Sequence, residues 1–272
     1  MTGFLELMIW PFLACLVLAG IHAYLGLHVL QREIIFVDLA LAQVAILGAS
    51  LAILLGHELH GAHSYWLSLG FTLVGAAVFA ITRRRAQRIP QEAVIGMTYA
   101  VSAALMILIL SRTGEGDEHI REALVGNVLL VGPQEVAKVA LIYAAIGVFH
   151  FIFRKPFYAI SKDHDAAAKT LKVRWWDFLF YASFGIVVTS SVKLAGVLLV
   201  FAFLVIPAAC ALLFATTMRS RLLIGWAIGF LGSVAGITFS YAFDFPTGAS
   251  VVCAFGAILV FLSVVRYALS QI

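Results

Sequence analysis

Charged residues are scarce in this chain: of its 272 residues, 12% are charged, whereas 63% are hydrophobic. Ordinary soluble domains have about 25% charged and about 45–50% apolar residues. A water-soluble fold of this length needs more polar residues than these to cover its surface. The composition, with a mean hydropathy of +1.04, therefore indicates a membrane protein and argues against soluble enzymes and nucleic-acid-binding proteins.

Cysteine and catalytic motifs are also lacking. Cys15, Cys210 and Cys253 lie in apolar runs without a Cys-x-x-Cys spacing, so we expect core packing rather than disulfides or a zinc ribbon. The sequence has no GxxxxGK[ST] loop to hold the phosphates of ATP and no HExxH zinc-protease motif. Within the predicted spans the histidines are His22 and His150, both near the ends of their spans rather than at membrane depth, and no enzymatic site is visible. We therefore predict that the chain is not an enzyme by itself.

Long apolar runs are what the sequence does contain. A helix that crosses a bilayer needs about 20 predominantly apolar residues, because it must satisfy its own backbone across about 30 Å of hydrocarbon. Nine runs meet or approach this length, which predicts an all-α, polytopic membrane protein with about nine transmembrane helices in one domain over 1–272. The predicted spans are 4–25, 34–55, 65–82, 93–110, 134–153, 176–190, 194–216, 222–243 and 246–266.

The basic residues predict the orientation of these spans. Of the 18 Lys and Arg residues, fourteen fall in alternate connections on one side and four on the other. Basic residues are retained on the cytoplasmic side of a membrane. We therefore expect the N-terminus outside and the C-terminus in the cytoplasm, and we attribute the net charge of +4 to this topology.

Few polar groups lie within the predicted spans, and such groups are costly and often functional. Asp38 is the deepest carboxylate, Gln43 lies near the middle of the same span, and Asp244 closes the eighth span. Asp38 and Gln43 diverge by about 140° on a regular helix, so one helix cannot close both around one ion. The alternative for Asp38 is a snorkelling or helix-capping carboxylate near the boundary.

Two of the later predicted spans contain proline or glycine residues that affect helix packing. Pro207 lies inside the seventh span, where its ring removes a backbone hydrogen bond and predicts a kink or break. The eighth span contains two pairs of glycines four residues apart, a spacing typical of close helix packing in membranes. These are Gly225 with Gly229 and Gly232 with Gly236.

Two predicted loops contain candidate binding residues. His57, His60 and His63, with Glu58 among them, form an outer loop of borderline ligands for Zn²⁺ or a similar ion, or else a solvated polar loop. The basic cytoplasmic loop 154–175 contains an acidic turn followed by alanines, which predicts a short helix. That helix is either a docking element for a cytoplasmic partner or an interfacial helix anchored by its tryptophans.

Four stretches of the sequence carry a resemblance to a known family. They are FVDLALAQ at 36–43 with Gly48, LVGNVLLV at 124–131, VKLAGVLLV at 192–200 running into LVIPAA at 204–209, and DFPTGAS at 244–250. Together they resemble the membrane permeases of bacterial metal-cation ABC importers, which carry zinc, manganese or iron(II). The resemblance covers nearly the whole chain.

This resemblance implies a homodimer in the bacterial cytoplasmic (inner) membrane, surrounded by lipids, with two ABC ATPase subunits and an extracytoplasmic metal-binding protein as partners. It implies a divalent metal cation as substrate and no permanently bound cofactor. The residues expected in the translocation path or its gates are Asp38, Gln43, Asn127, Pro207 and Asp244. The residues expected to couple to the ATPase are Asp163, Asp165, Ala166, Ala167, Ala168 and Thr170.

The sequence departs from the family pattern at several ligand positions. The family has a histidine four residues after the aspartate of the second span, whereas Gln43 stands five residues after Asp38 here. A second family histidine, near Tyr99 or Ala100, is missing, and Asn127 replaces an acidic residue. Losing these ligands weakens the case for tightly bound Zn²⁺ and favours Mn²⁺, Fe²⁺, a hydrated path or another substrate.

Other classes of function remain as alternatives. One is a gradient-driven secondary transporter, although such carriers often have inverted repeats and several buried charges that are not evident here. Another is an ABC importer of a non-metal substrate, and a third is a membrane scaffold that does not transport.

Overall fold

The computed structural model describes residues 2–58, 61–83, 89–113, 126 and 128–271, with side chains from residue 7 onward. This part of the chain is all-helical and contains no β-strand, which confirms the predicted fold class. A short 3₁₀ turn lies at Val128–Leu130. The α-helices are α1 Thr2–Gln31, α2 Val37–Leu54, α3 Ala62–Thr82, α4 Gln91–Leu110, α5 Pro133–Ile152, α6 Arg154–Lys162, α7 His164–Ala168, α8 Val173–Phe214, α9 Met218–Phe243 and α10 Thr247–Ser270.

Eight of the described helices are long and apolar enough to cross a membrane. The sixth and seventh predicted spans lie together in α8, which has 42 residues. At about 1.5 Å per residue, a helix of that length is about twice as long as the bilayer core is thick. Residues 191–193, between the two predicted spans, are helical, and the backbone leaves helical geometry at Gly196, with φ 74° and ψ 164°.

The chain packs as two compact units, each assembled from separate stretches of sequence. The first unit comprises Met1–Leu30, Val125–Ala144 and Leu194–Ile272. The second comprises Gln31–Leu124 and Ala145–Lys193. Helix α8 therefore begins in the second unit, and its residues from Leu194 onward belong to the first unit. Its break at Gly196 lies two residues after this boundary.

In the first unit, the four glycines of α9 lie against neighbouring helices, as their spacing predicts. Two of them contact alanines of α1, and two contact Phe255 and Val251 of α10. Because a methyl group at these positions meets a neighbouring helix, the glycines allow close approach of the backbones. They are Gly225, Gly229, Gly232 and Gly236.

In the second unit, α2 is the central helix. Fourteen of its 18 residues are buried, and it packs against both α3 and α4. Gly48 of α2 lies directly against the backbone of α3 at Leu67 and Ser68. Because α2 has almost no exposed face, its polar residues are enclosed by protein rather than by lipid.

The loop predicted at 154–175 folds into two short helices, α6 and α7. Phe157 and Ile160 of α6 are buried, whereas Lys155 and Lys162 are exposed, so α6 is amphipathic. The Phe157 ring packs edge-on against Trp176, with ring centroids 5.6 Å apart. The short helix predicted after the acidic turn is confirmed as α7.

Candidate functional site

Asp38, in the first turn of α2, is the most deeply buried carboxylate among the predicted path residues. It is 2% exposed, and its Oδ1 atom has no hydrogen-bond partner within the described residues. The N-cap residue of α2 is Phe36, and the carboxylate of Asp38 interacts with backbone N–H groups of the first turn, those of Asp38 and Leu39. A buried carboxylate oxygen without a protein partner is costly, which makes Asp38 a candidate for a function other than stability.

Gln43 places a second unpartnered oxygen on the same helix. The residue is 1% exposed, and its Oε1 atom has no partner in the part of the chain that the structure describes. Carboxylate and amide oxygens are hard ligands that suit hydrated or oxygen-coordinated divalent cations. The described residues contain no group of three or more His, Cys, Asp or Glu side chains that could enclose a metal ion.

Glu92, in the first turn of α4, is a residue that the sequence reasoning missed. Its Oε1 accepts a hydrogen bond from the backbone N–H of Phe36, with an N···O distance of 3.1 Å. Its Oε2 is buried without a partner among the described residues. Phe36 is two residues before Asp38, so this bond ties the carboxylate-bearing start of α4 to the start of α2. An acidic residue in the first turn after Pro90 is the sequence signal that marks the position.

The glycines of two family-like motifs meet in the first unit. Gly126 has a φ of 66°, and its Cα lies against the backbone of Ala195 and Gly196 at the break in α8. Both glycines adopt positive φ, which residues with a side chain rarely adopt. Asn127, predicted to be a path residue, lies outside the described residues.

Pro207 does not break the helix in which it lies. It is buried, and α8 keeps helical geometry across it, whereas the non-helical backbone lies eleven residues earlier at Gly196. Proline is tolerated in membrane helices where neighbouring groups pack around it. The carbonyl oxygen of Pro207 lies close to Gly225 of α9, so the prediction of a break here is corrected.

Asp244 differs from Asp38 because it is exposed. It ends α9 in the left-handed conformation, with φ 54° and ψ 40°. The turn that follows is held by Ser240, whose hydroxyl donates to the carbonyl oxygen of Phe245 over 2.8 Å and lies 2.9 Å from the hydroxyl of Thr247.

Two of the three histidines of the predicted histidine loop lie together. The rings of His57 and His63 stack with centroids 4.3 Å apart and planes 8° from parallel, and both residues are exposed. His60 lies outside the described residues.

The predicted ATPase-coupling residues lie in α7 or within two residues of its ends. The Asp163 carboxylate caps this helix by accepting the backbone N–H groups of Asp165 and Ala166, over 3.1 and 3.0 Å. Ala167 is buried against Ile160 and Val173 and so anchors the helix. The residues that remain exposed are Asp163, Ala166, Ala168 and Thr170.

A buried charge cluster lies beside this helix. The carboxylate of Asp177, at the start of α8, contacts the side chains of Arg32, Arg83 and His164. Its members lie up to 145 residues apart in the sequence, which is why the sequence reasoning did not assemble them.

Comparison with known proteins decides the family. The family model described as "ABC 3 transport family" matches residues 4–266. The chain belongs to this family. It is accordingly a multi-pass membrane protein of an ABC transport family, with eight described helices that are long and apolar enough to cross a membrane.

Relatives and a solved structure agree with this family. The "Manganese transport system membrane protein MntC" of Listeria innocua is 28% identical over 197 residues, 70% of each chain. The "Manganese import system permease protein ScaB" of Streptococcus gordonii is 22% identical over 241 residues, 88% of this chain and 84% of that protein. The structure of PsaBC from Streptococcus pneumoniae in complex with Fab has the same fold, with a TM-score of 0.79, 22% identity, and coverage of 96% of this chain and 94% of that one.

Proposed function

We propose that this ABC 3 family permease imports a divalent metal cation, Mn²⁺ or Fe²⁺, which it takes from an extracytoplasmic binding protein. The observation that carries the proposal is the buried, unpartnered carboxylate oxygen of Asp38 in the central helix α2. A negative oxygen enclosed by protein attracts a cation, and the oxygen of Gln43 on the same helix suits a hard metal ion better than Zn²⁺.

Two relatives support manganese, since MntC and ScaB are named for its transport or import. The absence of the second-span histidine from this sequence supports the same choice, because imidazole is a preferred ligand of zinc. We propose that Asn127 lies in the same path and that His57, His60 and His63 meet the incoming metal on the outer side.

ATP hydrolysis is proposed to occur on a separate ATPase subunit, since this chain has no phosphate-binding loop. The exposed residues around α7 form the proposed docking surface, and two permeases with two ATPases make the complex in the bacterial inner membrane. Closure of the ATPases would push α7 and switch the pathway between outward and inward access.

The test of this function is metal accumulation in bacteria that lack their own high-affinity uptake. The permease is expressed with the ATPase and binding protein encoded beside it, and a panel of Mn²⁺, Fe²⁺ and Zn²⁺ is measured, with Asp38→Ala in parallel. We expect accumulation of Mn²⁺ or Fe²⁺ that requires both partners and disappears in the variant.

Other results point to other functions. Uptake that persists in vesicles without nucleotide or ATPase identifies a secondary transporter. No accumulation of any metal by a correctly assembled complex overturns the metal proposal and leaves an importer of another substrate. Uptake that is unchanged when the permease is deleted identifies a scaffold.

Ala166→Arg is expected to reduce recovery of the ATPase with the permease at least about tenfold, because a large charged side chain enters the centre of the docking surface. The permease itself should fold, since Ala166 is exposed and arginine is a good helix former. Co-purification from detergent measures the effect. Gln271→Arg, an exposed change after α10, is the matched control, and equal recovery of the two variants would place the docking surface elsewhere.

Asp244→Asn is expected to lower metal uptake severalfold without loss of stability, because it removes the charge of a proposed gate residue, while the side chain is exposed and asparagine also tolerates the left-handed backbone. Asp244→Val should instead lower the free energy of unfolding by about 1–2 kcal/mol, since a β-branched residue does not tolerate that conformation. Uptake and thermal unfolding measure the two effects. Wild-type uptake in the asparagine variant, with unchanged stability, would remove Asp244 from the proposed gate.

A further inference from the structure

Asp177 is the centre of the buried charge cluster in the second unit. Arg32 donates from Nη1 to its Oδ1 over 2.9 Å, and Arg83 donates to the same oxygen over 3.4 Å. His164 donates from Nε2 to Oδ2 over 3.1 Å. The side chains of Asp177 and Arg32 are 1% and 0% exposed, so water does not screen their interaction.

The partners of Asp177 come from separate elements of the unit. His164 is the first residue of α7, the proposed docking helix, and Arg83 directly follows α3. Arg32 lies in the connection between α1 and α2, six residues before Asp38. One carboxylate therefore joins the docking helix to the segment that leads into the central helix of the proposed metal path.

Arg32 is held in place from further directions. Its Nε donates to the hydroxyl of Ser161 in α6 over 2.8 Å. Its guanidinium lies 3.8 Å above the centre of the Phe180 ring of α8, at a distance typical of a cation–π contact. A movement of α6 or α7 therefore either carries the connection before α2 with it or breaks these contacts.

A buried ion cluster is a poor device for stability alone, because well-packed apolar residues often stabilise a fold as much or more. What distinguishes such a cluster from apolar packing is that its hydrogen bonds are directional, so each bond fixes the relative position of the two groups that it joins. The cluster thus provides a rigid connection between α7 and the segment that precedes α2.

We propose that Asp177 is a positioning residue that couples movement of α7 to α2 through His164 on one side and Arg32 on the other. The role rests on the proposed function, because the movement of α7 is attributed to the ATPase. Asp177 touches neither metal nor nucleotide in this role. Its effect is on how much metal moves for each ATP that is hydrolysed.

The test uses the permease assembled with its ATPase and binding protein in proteoliposomes. The amount of assembled complex, the ATPase rate and Mn²⁺ or Fe²⁺ uptake are measured for the wild type, His164→Ala, His164→Gln and Asp177→Asn. Glu33→Gln, an exposed carboxylate next to Arg32, is the control. His164→Ala provides a partly exposed position, in case Asp177→Asn does not fold.

We expect His164→Ala to assemble with the ATPase but to transport at least about fivefold fewer ions per ATP. About fivefold is the lower end of the effects that are typical of energetic coupling between two sites of a protein. His164→Gln, whose amide can donate from near the position of Nε2, should stay within about twofold of the wild type. Glu33→Gln should not change the ratio. Asp177→Asn, where it assembles, should lower the ratio at least as much as His164→Ala.

A purely structural cluster gives a different result. In that case His164→Ala reduces the amount of complex while each assembled complex keeps the wild-type number of ions per ATP, which overturns the positioning role alone. If the wild type itself neither binds the ATPase nor takes up metal, the proposed function is overturned, and the positioning role with it.

Discussion

Asp38→Asn is expected to lower metal uptake at least about tenfold while the permease remains folded, since each 1.4 kcal/mol of lost cation binding is a factor of ten. The substitution keeps the shape of the side chain and removes its negative charge. Asp38 is 2% exposed, so water cannot replace the lost attraction to a cation. Uptake of Mn²⁺ or Fe²⁺ per assembled complex is the measurement.

Measuring the stability of the Asp38→Asn variant beside its uptake shows whether Asp38 acts in the path or only supports the fold. Because the Oδ1 atom of Asp38 has no protein partner among the described residues, replacing the carboxylate should not lower the free energy of unfolding and can raise it. Ser50→Ala is the matched control on the same helix, since among the described residues this buried hydroxyl bonds within its own helix, to the carbonyl oxygen of Ile46 over 2.9 Å. Asp38→Asn with full uptake, or with loss of folded protein equal to the loss of uptake, would remove Asp38 from the path.

The helices were predictable because their signal is local. Apolar runs of about 20 residues mark the membrane helices in the sequence. The sequence predicts spans at 65–82 and 93–110, and the structure has α3 at Ala62–Thr82 and α4 at Gln91–Leu110. The glycine pairs of α9 were predictable for the same reason, since their spacing alone places them on faces that can pack closely.

The break in α8 was not predictable from local sequence. Proline is the usual signal for such a break, and it pointed to Pro207. The actual break lies at Gly196, whose backbone contacts Gly126, 70 residues earlier. A contact between residues this far apart in the sequence leaves no local signal from which the position of the break could be predicted.

The candidate site was predictable only in part. Asp38 and Gln43 are identified by polarity within an apolar run, and their burial agrees with that signal. Glu92 and Asp177 lie at the ends of helices, where acidic residues are common. Only the fold reveals that Glu92 bonds to the start of α2 and that Asp177 gathers Arg32 and His164.

Gly126→Ala is expected to lower the free energy of unfolding by about 3 kcal/mol and to reduce the yield of folded permease severely. The left-handed backbone at φ 66° costs an alanine about 1–2 kcal/mol. The added methyl group also overlaps the backbone of Ala195 and Gly196, which cannot move aside as a flexible side chain can, and overpacking typically costs about 1–3 kcal/mol. Thermal unfolding in detergent and the recovery of monodisperse protein measure the loss.

Gly256→Ala is the matched control, because this glycine of α10 lies in the same unit and a methyl group there has nothing within 4 Å. Alanine is favoured over glycine within a helix by about 1 kcal/mol, so this variant should be as stable as the wild type or more stable. Equal stability of the two variants would mean that the Gly126 contact does not hold the break in α8.

A double substitution tests whether the two glycines act at one contact. Gly196→Ala alone should also be strongly destabilising, because φ 74° with ψ 164° is a backbone conformation reserved almost entirely for glycine. If Gly126 and Gly196 stabilise the same backbone contact, the first alanine already separates the segments, and the second adds less than its own cost. The double variant should therefore lose less stability than the two single losses added together, whereas independent sites would add to within about 0.5 kcal/mol.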